Sequence, residues 1–135
     1  MDEFFCNLIK TLNRMTESKM IGNKGEEIAS QYLENKGYQI IARNWQYMHR
    51  ELDIVAVHQK ELIFVEVKTR LEGSLLSPIE AVTLKKQKLL VHAADLFIQK
   101  HNLDFEVRFD IISIIYSQTG FQIEHIENAF YPRVK

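Results

Sequence analysis

The stretch Ile63-Phe64-Val65-Glu66-Val67-Lys68-Thr69-Arg70 sets a carboxylate and an ammonium two residues apart in an otherwise apolar run. In a strand, side chains at i and i+2 share a face. Leu62 and Phe64 begin that face, so Glu66 and Lys68 follow directly from a buried row. Charges placed there are costly unless they are paired or bind a metal. One chemistry that uses such a pair is metal-assisted phosphodiester cleavage. A bare Glu-x-Lys says little by itself, since the chain holds three: Glu17-Ser18-Lys19, Glu34-Asn35-Lys36 and Glu66-Val67-Lys68. The first two fall in or beside surface helices, where a solvated face explains them. Only the third lies in a strand whose other face, Ile63, Val65 and Val67, is wholly β-branched, as a central strand requires.

The preceding segment supplies further acids. Glu51 and Asp53 alternate with Leu52 and Ile54, which predicts that both acids share one strand face. The short link through His58, Gln59 and Lys60 predicts an antiparallel hairpin in which paired residue numbers sum to about 119. Asp53 then faces Glu66. Two adjacent carboxylates repel, and a shared divalent cation relieves the repulsion. Oxygen-only ligation suits Mg²⁺, with the Val67 carbonyl as a further ligand. Lys68 would orient or deprotonate the attacking water, or stabilise charge on the phosphate. The same residues also suit a cross-strand polar cluster at the end of a sheet, since structural ion-pair networks are common.

These residues need elements to hold them. Phe4, Leu8, Leu12 and Met15, flanked by Phe5 and Ile9, predict an amphipathic helix over residues 3 to about 18. A break near Met20 to Asn23 follows, then a helix from about Lys24 to Lys36 stopped by Gly37. Ile28, Ala29, Tyr32 and Leu33 form its apolar stripe, with Glu26 on the flank and Glu27 on the wet side. Glu26 is thus placed to reach the sheet, or it simply favours the first turn of a helix. Strands are expected at about 38–44, 51–57, 61–69, 105–116 and 121–127. Ser77-Pro78-Ile79-Glu80 reads as a capping box with proline at the first helical position, starting a helix that reaches about Lys100. Its core stripe is Ile79, Val82, Leu90, Ala93 and Phe97. Lys86 interrupts that stripe, either snorkelling outward or aimed at a bound phosphate, while Lys85 and Lys88 face solvent. The order α, α, β-β-β-α-β-β, with a helix able to cross between the third and fourth strands, predicts an α/β domain with a mixed sheet.

Composition bounds the function classes. The chain has 135 residues, 46% hydrophobic and 26% charged, with a net charge of -1. That is a globular composition with no overall basic footprint, so a nucleic-acid surface must be local. Arg70, Lys85, Lys86 and Lys88 are the candidates for such a rim. Cys6 is the only cysteine, which excludes an intrachain disulfide and a cysteine metal cluster. The five histidines lack zinc-ligand spacing, and there is no glycine-rich phosphate loop. No run is long and apolar enough to span a membrane, and Asp2-Glu3 is no signal-peptide start. A cytoplasmic protein is expected. Arg108 and Asp110 share a strand face and read as a structural pair.

From Ile21 to about Arg133 the chain resembles the YraN-like family of bacterial proteins, and through it the restriction-endonuclease-like PD-(D/E)XK fold. The resemblance rests on Gly22-x-x-Gly25-Glu26 with Ala29, Gly37-Tyr38, Arg43-Asn44, Glu51-Leu52-Asp53-Ile54-Val55-Ala56, Phe64-Val65-Glu66-Val67-Lys68-Thr69-Arg70, Val82 with Lys86-Gln87, and Arg108-Phe109-Asp110. It implies a nuclease-type site with Mg²⁺, Mn²⁺ also fitting. Asp53 and Glu66 would be the ligands, Lys68 the catalytic lysine and Glu26 an accessory acid. To these the residues themselves add the Val67 carbonyl as a further ligand and Arg50, Thr69, Arg70 and Lys86 as candidate substrate contacts, Arg50 either contacting phosphate or filling the site. The chain is also similar to archaeal Holliday-junction resolvases around these elements. Leu52 stands where the fold's name has proline, and Arg50 stands where the family usually has glycine. The expected domains are an N-terminal extension over 1–20 and a nuclease-like domain over 21–135. The expected partner is nucleic acid, chiefly DNA, and branched DNA is one substrate class the resemblance suggests. A homodimer and a protein partner bound through residues 1–20 are further arrangements open to the chain. The alternative is a non-catalytic nucleic-acid-binding or protein-interaction module that retains the fold.

Overall fold

A computed structural model describes residues 15–73 and 75–131, with side chains from Lys24 onward. The elements are α1 (Met15–Asn35), β1 (Gln39–Tyr47), β2 (Arg50–His58), β3 (Glu61–Leu71), α2 (Leu84–His101), β4 (Glu106–Ser117) and β5 (Gly120–Phe130). The five strands form one mixed sheet in the order β1-β2-β3-β4-β5. Only β3 and β4 are parallel, joined by the crossover through α2. This is the α/β layout expected from the order of elements. No helix of the described residues is long and apolar enough to cross a membrane.

The two faces of β3 select the two helices. Ile63 and Val65 join Ala29 and Leu33 of α1 in one buried cluster, together with Ile112 and Ile114 of β4. Leu62 and Phe64 join Leu90, Ala93 and Phe97 of α2 in the other. A strand covered on both faces has to be apolar on both, as β3 is up to Val65.

Two helix boundaries differ from expectation. The predicted break at Met20 to Asn23 does not occur, because α1 runs without interruption from Met15 to Asn35. A single glycine such as Gly22 costs a helix only about 1 kcal/mol, too little to end one. The expected stripe from Phe4 to Leu12 lies outside the described residues, as does the side chain of Met15. At its other end α1 stops at Gly37 as expected, with φ +90 and the Tyr38 N–H donating to the Leu33 carbonyl at 3.0 Å.

The second difference is the start of α2. The Ser77 capping box forms, with Ser77 Oγ accepting from the Glu80 N–H at 3.2 Å and donating to the Glu80 carboxylate at 2.9 Å. It closes only an isolated turn. Thr83 then takes extended backbone and accepts from the Lys86 N–H at 3.2 Å, so the helix begins at Leu84. Val82 remains buried, but Ile79, expected in the core, is 43% exposed. The later start puts Lys86 in the first turn of α2.

Candidate active site in the fork between two strands

The β2–β3 hairpin pairs Val55 with Phe64 and Ile54 with Val65, the register expected from the sequence. Pairing ends there. β2 continues toward Arg50 against β1, whereas β3 continues to Leu71 against β4. The two strands therefore open into a fork at the point where Asp53 and Glu66 would next have paired. Asp53 Oδ2 accepts from the Val67 N–H at 2.9 Å, which satisfies a donor that the fork deprives of a strand partner. The N–H and C=O of one strand residue point to the same side, so the Val67 carbonyl also faces this opening.

Simple alternation fails at Asp53. Leu52 packs in the α2-side cluster and Ile54 in the α1-side cluster, although they are two residues apart. The cause lies across on β1. Arg43 pairs with Ile54 and Trp45 with Leu52, and Asn44 between them has left-handed backbone at φ 51. Asn tolerates that region better than most residues. The faces exchange at this point, and Asp53 is turned toward the neighbouring backbone. Glu51, expected to share the Asp53 face, instead accepts from Gln46 at 3.0 Å on the exposed end of the hairpin.

Three carboxylates converge on the fork. Glu66 is 7% exposed, beside Leu52, Phe64 and Leu90. Burial, reinforced by the hydrogen bond and charge of Asp53, pushes its carboxyl up to about 9, against the pull of Lys86 and Lys68. Glu26 enters from α1, and burial together with Asp53 pushes it up to about 7, while Asn44 and Arg43 act the other way. One oxygen of each glutamate, Glu26 Oε2 and Glu66 Oε2, is buried without a hydrogen-bond partner among the described residues. Lys86 Nζ stands 3.9 Å from Glu66 Oε2. Glu27 is exposed, as its helical phase required.

Gly25 is what lets α1 come this close. A Cβ there would collide with Cγ2 of Thr69 on β3. Thr69 thus lies beneath α1, on the face opposite Lys68. Arg70 donates to the Leu76 carbonyl and ties the following connection to β3. Arg50 donates from Nε to His92 Nδ1 on α2 at 2.9 Å. Lys68 is partly exposed and makes no salt bridge among the described residues.

A second polar cluster surrounds Arg108. Its guanidinium donates to both oxygens of Asp110 at 2.9 Å, to Glu61 at 3.0 Å and to the Tyr38 hydroxyl at 2.7 Å. Glu127 lies 3.2 Å away, and His125 Nε2 is 2.7 Å from Asp110. Asp110, His125 and Glu127 bring ligand atoms close enough for a metal. The chemistry says otherwise. Burial alone would raise Asp110, but hydrogen bonds from His125, Arg108 and the Asn128 N–H outweigh it and hold the carboxyl below its usual range. The resident cation there is Arg108. The fork differs: Glu26 Oε2 and Glu66 Oε2 are buried without a hydrogen-bond partner among the described residues, and the nearest cation, Lys86, stands 3.9 Å from Glu66. The sequence showed Arg108 and Asp110 as a pair but not their four side-chain partners Tyr38, Glu61, His125 and Glu127. The i, i+2 spacing of His125 and Glu127 on a strand was the available signal.

An apolar groove of about 450 Å³ lies between α2 and β4, lined in part by Val91, Ile98, Val107 and Tyr131. None of the fork carboxylates lines it.

Comparison with known proteins places the chain. Residues 25–114 match the model of the uncharacterised protein family UPF0102. A UPF0102 protein of Parabacteroides distasonis is 50% identical over 117 residues, covering 87% of this chain and 97% of that protein. One from Porphyromonas gingivalis is 51% identical, covering 81% of this chain and 82% of that protein. A third, from Flavobacterium psychrophilum, is 40% identical over 87% of this chain and 98% of that protein. The matched segment contains Glu26, the β2–β3 fork and Lys86, and the chain belongs to the UPF0102 family, the YraN-like family.

Proposed function

We propose that the protein is a Mg²⁺-dependent, endonuclease-like hydrolase of DNA that works by metal-assisted phosphodiester cleavage. The convergence of Glu26, Asp53 and Glu66 on the fork, with Lys68 and Lys86 beside it, carries the reading. The donor set fits the ion: it is all oxygen, and two carboxylate oxygens are buried without a hydrogen-bond partner among the described residues. Asp53, Glu66 and the Val67 carbonyl would hold Mg²⁺ or Mn²⁺, which when bound supplies Lewis acidity and a water of lowered pKa. Lys68 orients the attacking water or neutralises charge on the phosphate. Glu26 holds a proton near neutral pH. Lys86 offsets charge at Glu66 and offers its ammonium to a neighbouring phosphate, while Arg50 and Arg70 contact the backbone further out. Thr69 is assigned to the substrate path on the opposite face. A single cysteine and the absence of a membrane-spanning helix among the described residues fit a cytoplasmic setting with DNA.

A second reading has one observation in its favour. Lys86 already faces Glu66 at 3.9 Å, so the cluster carries part of its own counter-charge. On that reading the fold is a binding module whose DNA affinity survives Glu66→Ala and ignores divalent ions.

Calorimetric titration with Mg²⁺ separates the clusters. Binding is expected in the wild type and in Glu127→Gln, and is expected to be lost in Asp53→Asn. Cleavage of junction, flap, single-stranded and duplex DNA with Mg²⁺ or Mn²⁺ is expected to fall at least about a hundredfold in Asp53→Ala. No cleavage of any substrate, or equal cleavage by the variant, overturns the enzyme reading.

A further inference from the structure

Among the described residues, five buried side-chain polar atoms have no hydrogen-bond partner, and three of them surround Lys68. Glu66 Oε2 lies two residues before it on β3, Arg70 Nε two residues after it, and Ser113 Oγ beside it on β4. In the β3–β4 register Lys68 is paired with Ser113, as Glu66 is with Ile111. Residues paired across strands, and those two apart along one strand, share a face of the sheet. All of these side chains therefore lie on the α2 side. β5 extends the row, because Ser113 pairs with Glu124 on its other flank. A polar line of Lys68, Ser113 and Glu124 thus crosses three strands next to the fork.

Ser113 is the anomaly in this line. It stands between Ile111-Ile112 and Ile114-Ile115 and is 0% exposed. Alanine would fill such a place with no hydroxyl to satisfy, and a buried hydroxyl without a partner is costly. A native fold keeps such a group where it has a task in another state of the protein. A serine hydroxyl has one proton to give and lone pairs that accept. Its two neighbours in the row divide those roles. Lys68 can only donate, and Glu124, an exposed carboxylate, accepts. Neither is in a salt bridge among the described residues. Adjacent strands are about 4.8 Å apart, a gap that the four-carbon stem of lysine and the side chain of glutamate both cross.

Resting on the nuclease reading above, we propose that Ser113 is a positioning residue that seats the ammonium of Lys68. With substrate at the fork, one N–H of Lys68 donates to Ser113 Oγ, and the Ser113 hydroxyl donates to the Glu124 carboxylate. The other two N–H groups of the ammonium are then aimed at the attacking water and the phosphate. An unseated lysine spreads its charge over many rotamers, whereas a seated one holds it where charge develops in the reaction.

The test combines cleavage kinetics and calorimetry on the full chain with Mg²⁺, using the most readily cut of junction, flap, single-stranded and duplex DNA. Ser113→Ala is expected to lower kcat about tenfold, with KM and Mg²⁺ affinity unchanged. It is also expected to melt at the wild-type temperature or above, since it removes an unpaired buried hydroxyl. Ser113→Thr restores a hydroxyl and is expected to recover kcat. Glu124→Ala is expected to reproduce part of the loss. In the slow variant Lys68→Ala, adding Ser113→Ala is expected to change kcat no further, because both act through one ammonium. Full-rate cleavage by Ser113→Ala, or an equal slowing by it in the Lys68→Ala background, overturns the seat. So does a Ser113→Ala protein that melts below the wild type, since the hydroxyl then already has a partner in the fold. A wild type that cuts none of the four DNAs removes the nuclease reading and the purpose of the seat with it, a result read without any variant.

Discussion

At Asn44 the backbone enters the left-handed region, with φ 51, directly across from Asp53. Its side-chain amide faces Glu26, where it favours the ionised carboxylate against burial and Asp53. One residue therefore does two separable things: it lets β1 exchange faces, and it favours the ionised form of an acid of the candidate site. Substitution can divide them. Asn44→Ala puts a Cβ-bearing residue without a local hydrogen-bonding group into left-handed backbone, at a cost of about 1–2 kcal/mol. Asn44→Gly keeps that backbone accessible and removes only the amide. Both variants are expected to weaken Mg²⁺ binding roughly 10–100-fold, as loss of a group orienting a ligand typically does. Only the alanine variant is expected to lose stability in urea denaturation. Full Mg²⁺ affinity in Asn44→Gly would remove the amide from the site.

At the scale of elements, the site depends on how closely α1 lies against β3. Gly25 faces Thr69 with no room for a Cβ against Cγ2, while the Thr69 Cβ would be at an ordinary 3.7 Å. Gly25→Ala should push α1 away and carry Glu26 with it, destabilising by about 1–3 kcal/mol as overpacking does. Thr69→Ala in the Gly25→Ala background removes the colliding methyl and should recover most of that loss, a coupling read by a double-mutant cycle in urea. Additive losses would show that the contact does not set the helix position. The sequence revealed the strands, the hairpin register and the crossover, because each rests on local alternation and turn chemistry. It also placed Glu26 rather than Glu27 toward the sheet, through helical phase alone. What it hid is instructive. The fork is a place where pairing stops, and β2 and β3 read as ordinary strands on either side of it. The exchange of faces at Asp53 comes from Asn44 on another strand. The start of α2 was obscured by two successive capping signals, Ser77 and Thr83, of which the second begins the helix.

For the whole molecule, the two polar clusters act on stability in opposite directions with pH. Asp110 is held below its ordinary carboxylate range, so its contribution is present above that range and is lost as the solution becomes more acid. Glu26 and Glu66 are raised from 4.5 to about 7 and about 9. Their protonated forms belong to the fold, so that contribution is complete below about pH 4.5 and is lost as pH rises through the raised values. The unfolded chain releases these protons near 4.5, whereas the folded chain must give them up later, against burial and Asp53. Metal-free protein should therefore be most stable in mildly acid solution, and its melting temperature should drop by roughly 5 °C or more between about pH 5 and pH 9. Glu66→Gln removes the group with the higher value and should flatten the alkaline half of that fall. A bound divalent cation favours the ionised carboxylates, so saturating Mg²⁺ should restore the melting temperature near pH 8 in the wild type and leave Asp53→Asn unchanged. Differential scanning calorimetry across this range, with and without Mg²⁺, checks all three expectations. A profile in which Glu66→Gln melts in parallel with the wild type would show that the fork's carboxylates are not the groups whose protons the fold retains.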